Sequence, residues 1–237
     1  MDNHSIYANE EIESWVDRSG LIEQEKYLVS KYLQNKGKLI EAGTGGGRIS
    51  LEIKKEYDKL EIMAFDFVKE MIENAKIKSD KISFEVADAS DLSFIEDESF
   101  DFAVYLQQIV SLVPYSLMSL VLSESFRILK KDGLIIFSFL YFDGRAINPF
   151  LSFLINTIRV IRGEKYQQGS LPWLKLSGKP NYNLFGKNQA MTYWFKKEEI
   201  LEILKKTGFK IIEVTTSKEI QKHLSGADGM LYIVCKK

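Results

Sequence analysis

The most constraining feature of the sequence is a glycine-dense junction. The apolar run KLIEAG (38–43) leads into Gly43-Thr44-Gly45-Gly46-Gly47-Arg48, and residues 47–57 then carry a helical pattern. Four glycines in five positions let the backbone turn tightly and approach a ligand closely. Such a loop also aims free N–H groups at an anionic group. A strand, a glycine turn and a helix in that order open a βαβ unit, which points to a parallel sheet.

The rest of the chain keeps the same alternation. LEIMAFD (60–66) reads as a second strand and VKEMIENAKIK (68–78) as a helix. KISFEVAD (81–88) alternates with period two and reads as a third strand, and FDFAVYL (100–106) as a fourth. MSLVLSESFRILKKDG (118–133) carries apolar residues at helical spacing, with Gly133 as its C-terminal stop. LIIFSFL (134–140) is apolar except for Ser138, as befits a strand covered on both faces. KKEEILEILKKTG (196–208) is a helix, and FKIIEV (209–214) and MLYIVCKK (230–237) are strands. Two parts lie outside this rhythm. Residues 1–36 form a helical leader. Residues 143–192 hold three of the four prolines and seven basic residues against two acidic, a net charge of +5, so the rest of the chain sums to −6. Fifty residues exceed a plain loop, so this segment is expected to be a cap with some helix.

Composition removes several classes. With 45% hydrophobic and 27% charged residues the chain is globular, and 237 residues allow one compact domain with an insert. Thirty-two basic against 33 acidic residues leave −1, which predicts no nucleic-acid coat. The single Cys235 excludes an internal disulfide and a thiolate zinc cluster, and two histidines, His4 and His223, make no histidine-rich site; no metal is expected. The N-terminus is polar and acidic, unlike a signal peptide. The longest apolar stretch, 149–160, contains Ser152, Asn156, Thr157 and Arg159 and is too short and polar to span a bilayer. The expectation is a soluble, cytoplasmic protein.

Glycine loops serve several chemistries, and the spacing discriminates among them. No GxxxxGK followed by Ser or Thr is present, against a phosphate-binding P-loop. A nicotinamide-type GxGxxG fails at Arg48 or at Ser50, according to where it starts. G-x-G-x-G at 43, 45 and 47, with Glu41 two residues upstream, fits. LIEAGTGGGR, Asp66 at the end of the second strand, Val86-Ala87-Asp88-Ala89, SFDFAVYLQQ, FRILKKDGLIIFS and GFKIIEV together resemble, in order, the motifs of class I S-adenosylmethionine-dependent methyltransferases over roughly 38–140 and 195–237. Lys131-Asp132 stands where that family has Pro-Gly.

The resemblance implies a Rossmann-like three-layer αβα fold. Its seven-stranded sheet is mostly parallel, with the last strand antiparallel and the cap inserted after the fifth. It divides the chain into a leader (1–36), a cofactor-binding core (37–142 and 193–237) and a substrate cap (143–192). It also implies S-adenosylmethionine as cofactor and S-adenosylhomocysteine as product. Gly43, Thr44, Gly45 and Gly47 would form the cofactor loop. Asp66 lies 23 residues after Gly43, so both reach the carboxyl edge of neighbouring parallel strands. Its carboxylate suits the vicinal diol of a ribose. Asp88 and the Ala89 amide would meet adenine, or Asp88 would cap the segment that follows. Phe67 and Met71 either sandwich the adenine or pack in the core. Glu41 braces the loop or meets the methionine amino group. Arg18 either meets the cofactor carboxylate or is an exposed helical arginine.

Methyl transfer from a sulfonium needs an in-line nucleophile and exclusion of water more than it needs a catalytic dyad. The family's arrangement brings the acceptor over the ends of the fourth and fifth strands, where Leu106, Gln107 and Gln108 lie beside Tyr141, Phe142 and Asp143. His4 is the base that the leader offers. The expected reaction is methylation of an O or N atom of a small molecule. The alternatives are a quinone-like or lipid-like carbon acceptor, or a non-catalytic S-adenosylmethionine-binding protein. The cap combines Phe150, Phe153, Trp173, Tyr182 and Phe185 with its positive charge, which suits an aromatic, amphipathic or anionic acceptor as well as ordinary packing. Residues 149–162 also read as a possible membrane-touching helix. The sequence sets no oligomeric state.

Overall fold

The computed structural model describes residues 18–144, 149–172, 175–176, 179–180, 191–222 and 229–237. Helix α1 (Glu23–Tyr32) precedes β1 (Lys38–Ala42), α2 (Arg48–Glu56), β2 (Glu61–Asp66), α3 (Lys69–Lys78) and β3 (Ser83–Val86). Then come β4 (Phe100–Tyr105), the single turn α4 (Ile109–Leu112), α5 (Met118–Ile128) and the long β5 (Leu129–Leu140). The segment after β5 holds α6 (Pro149–Ile161), β6 (Ser170–Pro172), two-residue strands β7 (Lys175–Leu176) and β8 (Lys179–Pro180), and β9 (Met191–Tyr193). Helix α7 (Lys197–Thr207), β10 (Lys210–Thr216), the short α8 (Ser217–Ile220) and β11 (Met230–Lys236) complete the order.

Seven strands form one sheet in the order β10-β11-β5-β4-β1-β2-β3. All pairings are parallel except those of β11, which runs antiparallel to both β10 and β5. The sheet is seven-stranded and mixed as the motifs implied. Alternation along each strand builds two cores. On β4, Ala103 and Tyr105 face one layer with Val121 and Leu122 of α5 and Leu204 of α7. Phe102, Val104 and Leu106 face the other with Leu28 of α1, Ile53 of α2 and Ile72 of α3. Among the described residues the Tyr105 hydroxyl is the buried side-chain polar atom without a hydrogen-bond partner. Burial, reinforced by Glu124, pushes its pKa upward and keeps it a neutral phenol.

Three readings of the sequence need correction. The helix expected over 118–133 stops at Ile128, and Leu129 is already extended and paired with Phe100. Leu129 is fully buried, and its place in the sheet outweighs the helical preference of Lys130 and Lys131. The next pairing of β4 with β5 joins Phe102 to Leu134. Asp132 in between takes a φ of 67° and donates its N–H to the Lys237 carbonyl at 3.1 Å. The third strand ends at Val86, two residues short of Asp88. The core segment expected to resume at 193 instead begins inside β9, whose Tyr193 pairs with Ser170 of β6. The excursion after β5 is pinned at its base: Phe195 N–H donates to Leu140 O at 2.8 Å, and Phe142 N–H to Phe195 O at 2.8 Å.

Candidate active site

β1 lies where the strand order reverses, between β4 and β2, and the crevice at the carboxyl ends of such strands is where open α/β sheets bind ligands. Parallel register sets Ala42 beside Phe65 and Asp66 beside Val86, so the three loops leave the sheet side by side. Gly43, Gly45 and Gly47 all take positive φ, at 63°, 53° and 86°, which explains glycine at every second position. A Cβ added at Gly45 would project into open space, whereas one at Gly43 would lie 2.1 Å from Ile109 Cδ1.

Three of the loop's amides turn inward rather than toward an external anion. Thr44 N–H donates to Phe65 O at 3.0 Å, Gly45 N–H to Asp66 Oδ2 at 2.9 Å, and Gly47 N–H to Thr44 O at 3.0 Å. The glycines therefore serve shape and close approach. Asp66 also accepts from Val68 N–H at 3.0 Å, so both its oxygens are held by backbone.

These residues open onto a cavity of about 350 Å³, within the usual size range of small-molecule sites. One side is Gly43, Gly45, Asp66, Phe67 and Met71; a second is Ala87, Asp88 and Ala89; a third is Gln107 with Ile109, Leu112, Val113, Pro114 and Leu117. Asp88 Oδ1 accepts from Ser90 N–H at 2.8 Å and from Ser90 Oγ at 2.7 Å, so its carboxylate also shapes the turn that carries Ala89. Met71 is buried while Phe67 is partly exposed at the rim.

Several expected residues stand behind the lining rather than in it. Glu41 is buried and accepts from Thr44 Oγ1 at 2.8 Å and Ser50 N–H at 3.0 Å, bracing the loop against the start of α2. Burial raises its pKa to about 7, against opposing hydrogen bonds from Thr44 and Ser50 and the charge of Arg48. Thr44 is part of that brace, Gly47 caps α2, and Leu106 is buried in the core. Arg18 is exposed, two residues before Gly20. Gln107 and Gln108 both have positive φ, and only Gln107 lines the cavity. Gln108 N–H is tied to buried Ser138 Oγ at 2.9 Å. Tyr141 is half-buried and Asp143 exposed, and neither lines the cavity. His4, His223, Trp173, Tyr182 and Phe185 lie outside the described residues. Phe150 and Phe153 are exposed on α6.

Sequence reasoning missed a buried network behind the cavity. Glu25 of α1 receives both terminal nitrogens of Arg48, each at 2.7 Å, and Gln107 Nε2 as well. Arg48 Nη1 also donates to Gly20 O at 2.7 Å. The leader is thereby joined to the glycine loop and to the end of β4. The wall from Ile109 to Leu117 was missed too, although the apolar residues of QIVSLVPYSL between strand and helix carried its signal.

Residues 39–133 match the family model of a methyltransferase domain. The match takes in the glycine loop, Asp66, Asp88 and the end of β4. Among solved structures, the fold of the chain resembles that of an S-adenosylmethionine-dependent methyltransferase from Methanosarcina mazei, with 23% identity, 89% of this chain and 96% of that one covered, and a TM-score of 0.67. It also resembles the 1,6-didemethyltoxoflavin-N1-methyltransferase of Burkholderia thailandensis, solved with 1,6-didemethyltoxoflavin and S-adenosylhomocysteine. There the identity is 15%, the coverage 98% and 84%, and the TM-score 0.64. The [4+2]-cyclase SpnF shares the fold at 15% identity, 99% and 94% coverage and a TM-score of 0.63. No curated protein matches the sequence.

The described residues suit the cofactor. The open space above Gly45 admits a ligand against the backbone, and the adjoining Asp66 carboxylate provides acceptors of the kind a diol needs. Among the described residues no cluster of three or more His, Cys, Asp or Glu side chains is placed to hold a metal.

Proposed function

We propose that this chain is a class I S-adenosylmethionine-dependent methyltransferase that alkylates an O or N atom of a small-molecule acceptor held between the Gln107–Leu117 wall and the 143–192 cap. The observation that carries this reading is one enclosure shared by Gly45, Asp66, Asp88 and Gln107, with an apolar wall facing them. Asp66 would receive the ribose hydroxyls, and Asp88 with the Ala89 amide the adenine. Phe67 and Met71 would flank the ring, and the close approach at Gly43 and Gly45 would seat the methionine part.

Bound S-adenosylmethionine supplies a methyl group already activated on a sulfonium. The chain's own task is then alignment and exclusion of water. Gln107 is suited to orient a polar acceptor without adding charge, since its amide nitrogen is fixed by Glu25. The leader (1–36) and the cap would cover a core made of 37–142 and 193–237. The Burkholderia enzyme's named acceptor, a small nitrogen heterocycle, supports an acceptor of that class.

Incubation with methyl-labelled cofactor and a panel of small phenols, amines, carboxylates and N-heterocycles tests the reading. Label is expected on O or N in the product. Label on carbon, or turnover of an acceptor without label transfer as a cyclase would give, overturns it.

A further inference from the structure

Helix α6 is amphipathic in the reverse sense. Its inward face is polar: Ser152 and Asn156 are buried with Ile155. Ser152 Oγ donates to Gln168 O at 2.9 Å, Asn156 Nδ2 to Ser152 O at 3.0 Å, and Gln167 N–H to Asn156 Oδ1 at 3.2 Å. Its outward face is apolar. Phe150, Phe153, Leu154, Val160 and Ile161 are 64%, 58%, 36%, 48% and 79% exposed. They recur at helical spacing, so they form one stripe. Thr157 sits within that stripe, and its hydroxyl is turned back onto Phe153 O at 2.8 Å. The stripe thus offers a partner almost no directional hydrogen bonding.

The surrounding charge indicates what covers it. Arg162 and Lys165 are exposed at the stripe's C-terminal end, where Arg159 is paired with Glu164 at 2.8 Å, and the whole 143–192 segment is +5. A second copy of the same face would bring these positive charges together. An apolar face without donors or acceptors, set in a basic surround, complements a surface that is apolar beneath and anionic at its rim. At 13 residues α6 is far too short to cross a bilayer, and no helix among the described residues is long and apolar enough to do so.

We infer that α6 is an interfacial helix that seats the enzyme on an anionic lipid bilayer. The helix bonds to Gln168, next to the β6–β9 pair, and Tyr193 of β9 stacks on Tyr115 at 4.7 Å between ring centres. Tyr115 follows Pro114 of the cavity wall. Docking through α6 would therefore bring the element next to the cavity wall close to amphipathic molecules dissolved in the bilayer. This choice of acceptor rests on the small-molecule reading above, whereas the docking itself does not.

Flotation of the full-length protein with phosphatidylcholine vesicles, and with vesicles containing one-quarter phosphatidylglycerol, tests the docking without any acceptor. The wild type is expected to float with the anionic vesicles and at least tenfold more weakly with the neutral ones. Phe153→Glu/Ile161→Glu should lower partitioning at least tenfold while leaving S-adenosylhomocysteine affinity by calorimetry within about twofold, which shows that the variant is folded. No partitioning of the wild type, or equal partitioning of the variant, overturns the inference. So does light scattering that shows a wild-type dimer split by the two substitutions, because the stripe would then bind a second copy. Label transfer to small acceptors is a separate measurement, so either idea can fail alone.

Discussion

Burial lifts the Glu41 carboxyl to about 7, above its ordinary 4.5, despite the hydrogen bonds from Thr44 and Ser50 and the nearby Arg48. A folded-state value above the unfolded one means that this group's stabilising contribution is complete below pH 4.5 and is lost as pH rises to about 7. The window corresponds to about 3 kcal/mol. Glu41→Gln keeps an acceptor for the Ser50 amide and cannot ionise, so its stability relative to wild type should rise by up to that amount between pH 4.5 and 7.5. Urea unfolding across that range measures it, and parallel curves for the two proteins would refute it. Asp66 is a different case, a carboxylate already oriented by the amides of Gly45 and Val68. Asp66→Ala should weaken S-adenosylhomocysteine binding more than tenfold, about 1.5–3 kcal/mol, in calorimetry. Unchanged affinity would remove Asp66 from the cofactor site. At this scale the sequence located Gly43 and Asp66 because a strand end is a fixed address in a parallel sheet, whereas Asp88 lies two residues beyond β3. It did not separate lining from bracing: Glu41 and Gly45 are four residues apart, and only the folded loop turns one inward and the other toward the cavity.

Helix α1 shows how an element acquires a role that its own pattern does not announce. It carries acidic Glu23 and Glu25 in its first turn, an ordinary helix start. Folding buries Glu25 against Arg48, 23 residues away, and against Gln107, 82 residues away. Contacts of that range leave no local signature, which is why Arg48 entered the sequence argument only as a misfit to a nucleotide motif. Removing one member of a buried pair leaves the other charge uncompensated, at about 3–5 kcal/mol. Glu25→Ala should therefore lower stability by that order in urea unfolding and reduce turnover beyond its effect on cofactor affinity, because Gln107 loses its anchor. A change below about 1 kcal/mol, the scale of an exposed pair, would show the network to be dispensable. The outer attachment of α1, Lys31 to Glu213 at 3.0 Å with Tyr27 and Tyr32 around it, is more exposed and should matter less. The misplaced end of α5 has the same origin: helix propensity is local, whereas the burial of Leu129 beside β4 is decided across the sheet.

Across the whole molecule the sequence revealed the helix-flanked sheet, mostly parallel with its last strand antiparallel, because alternation and motif order constrain topology strongly. It was silent on the Ile109–Leu117 wall, since apolar residues between two elements read equally well as packing. It read five cap aromatics either as an acceptor wall or as ordinary packing, and of these Phe150 and Phe153 are exposed. The glycine loop carries a last consequence, for selectivity. Its Thr44, Gly45 and Gly47 amides are bound internally, and among the described residues the charged ones lining the cavity, Asp66 and Asp88, are both acids. Arg48 is held by Glu25, and Lys78 donates to the Gly46 carbonyl without lining the cavity. Among the described lining residues a triphosphate would meet no cationic side chain and two carboxylates, whereas the uncharged adenosine half of the same molecule would meet no such repulsion. ATP should thus fail to displace S-adenosylhomocysteine in competition calorimetry at concentrations where adenosine does so, and displacement by both alike would contradict this. Such a lining would set neutral adenosine compounds apart from phosphorylated ones by charge alone.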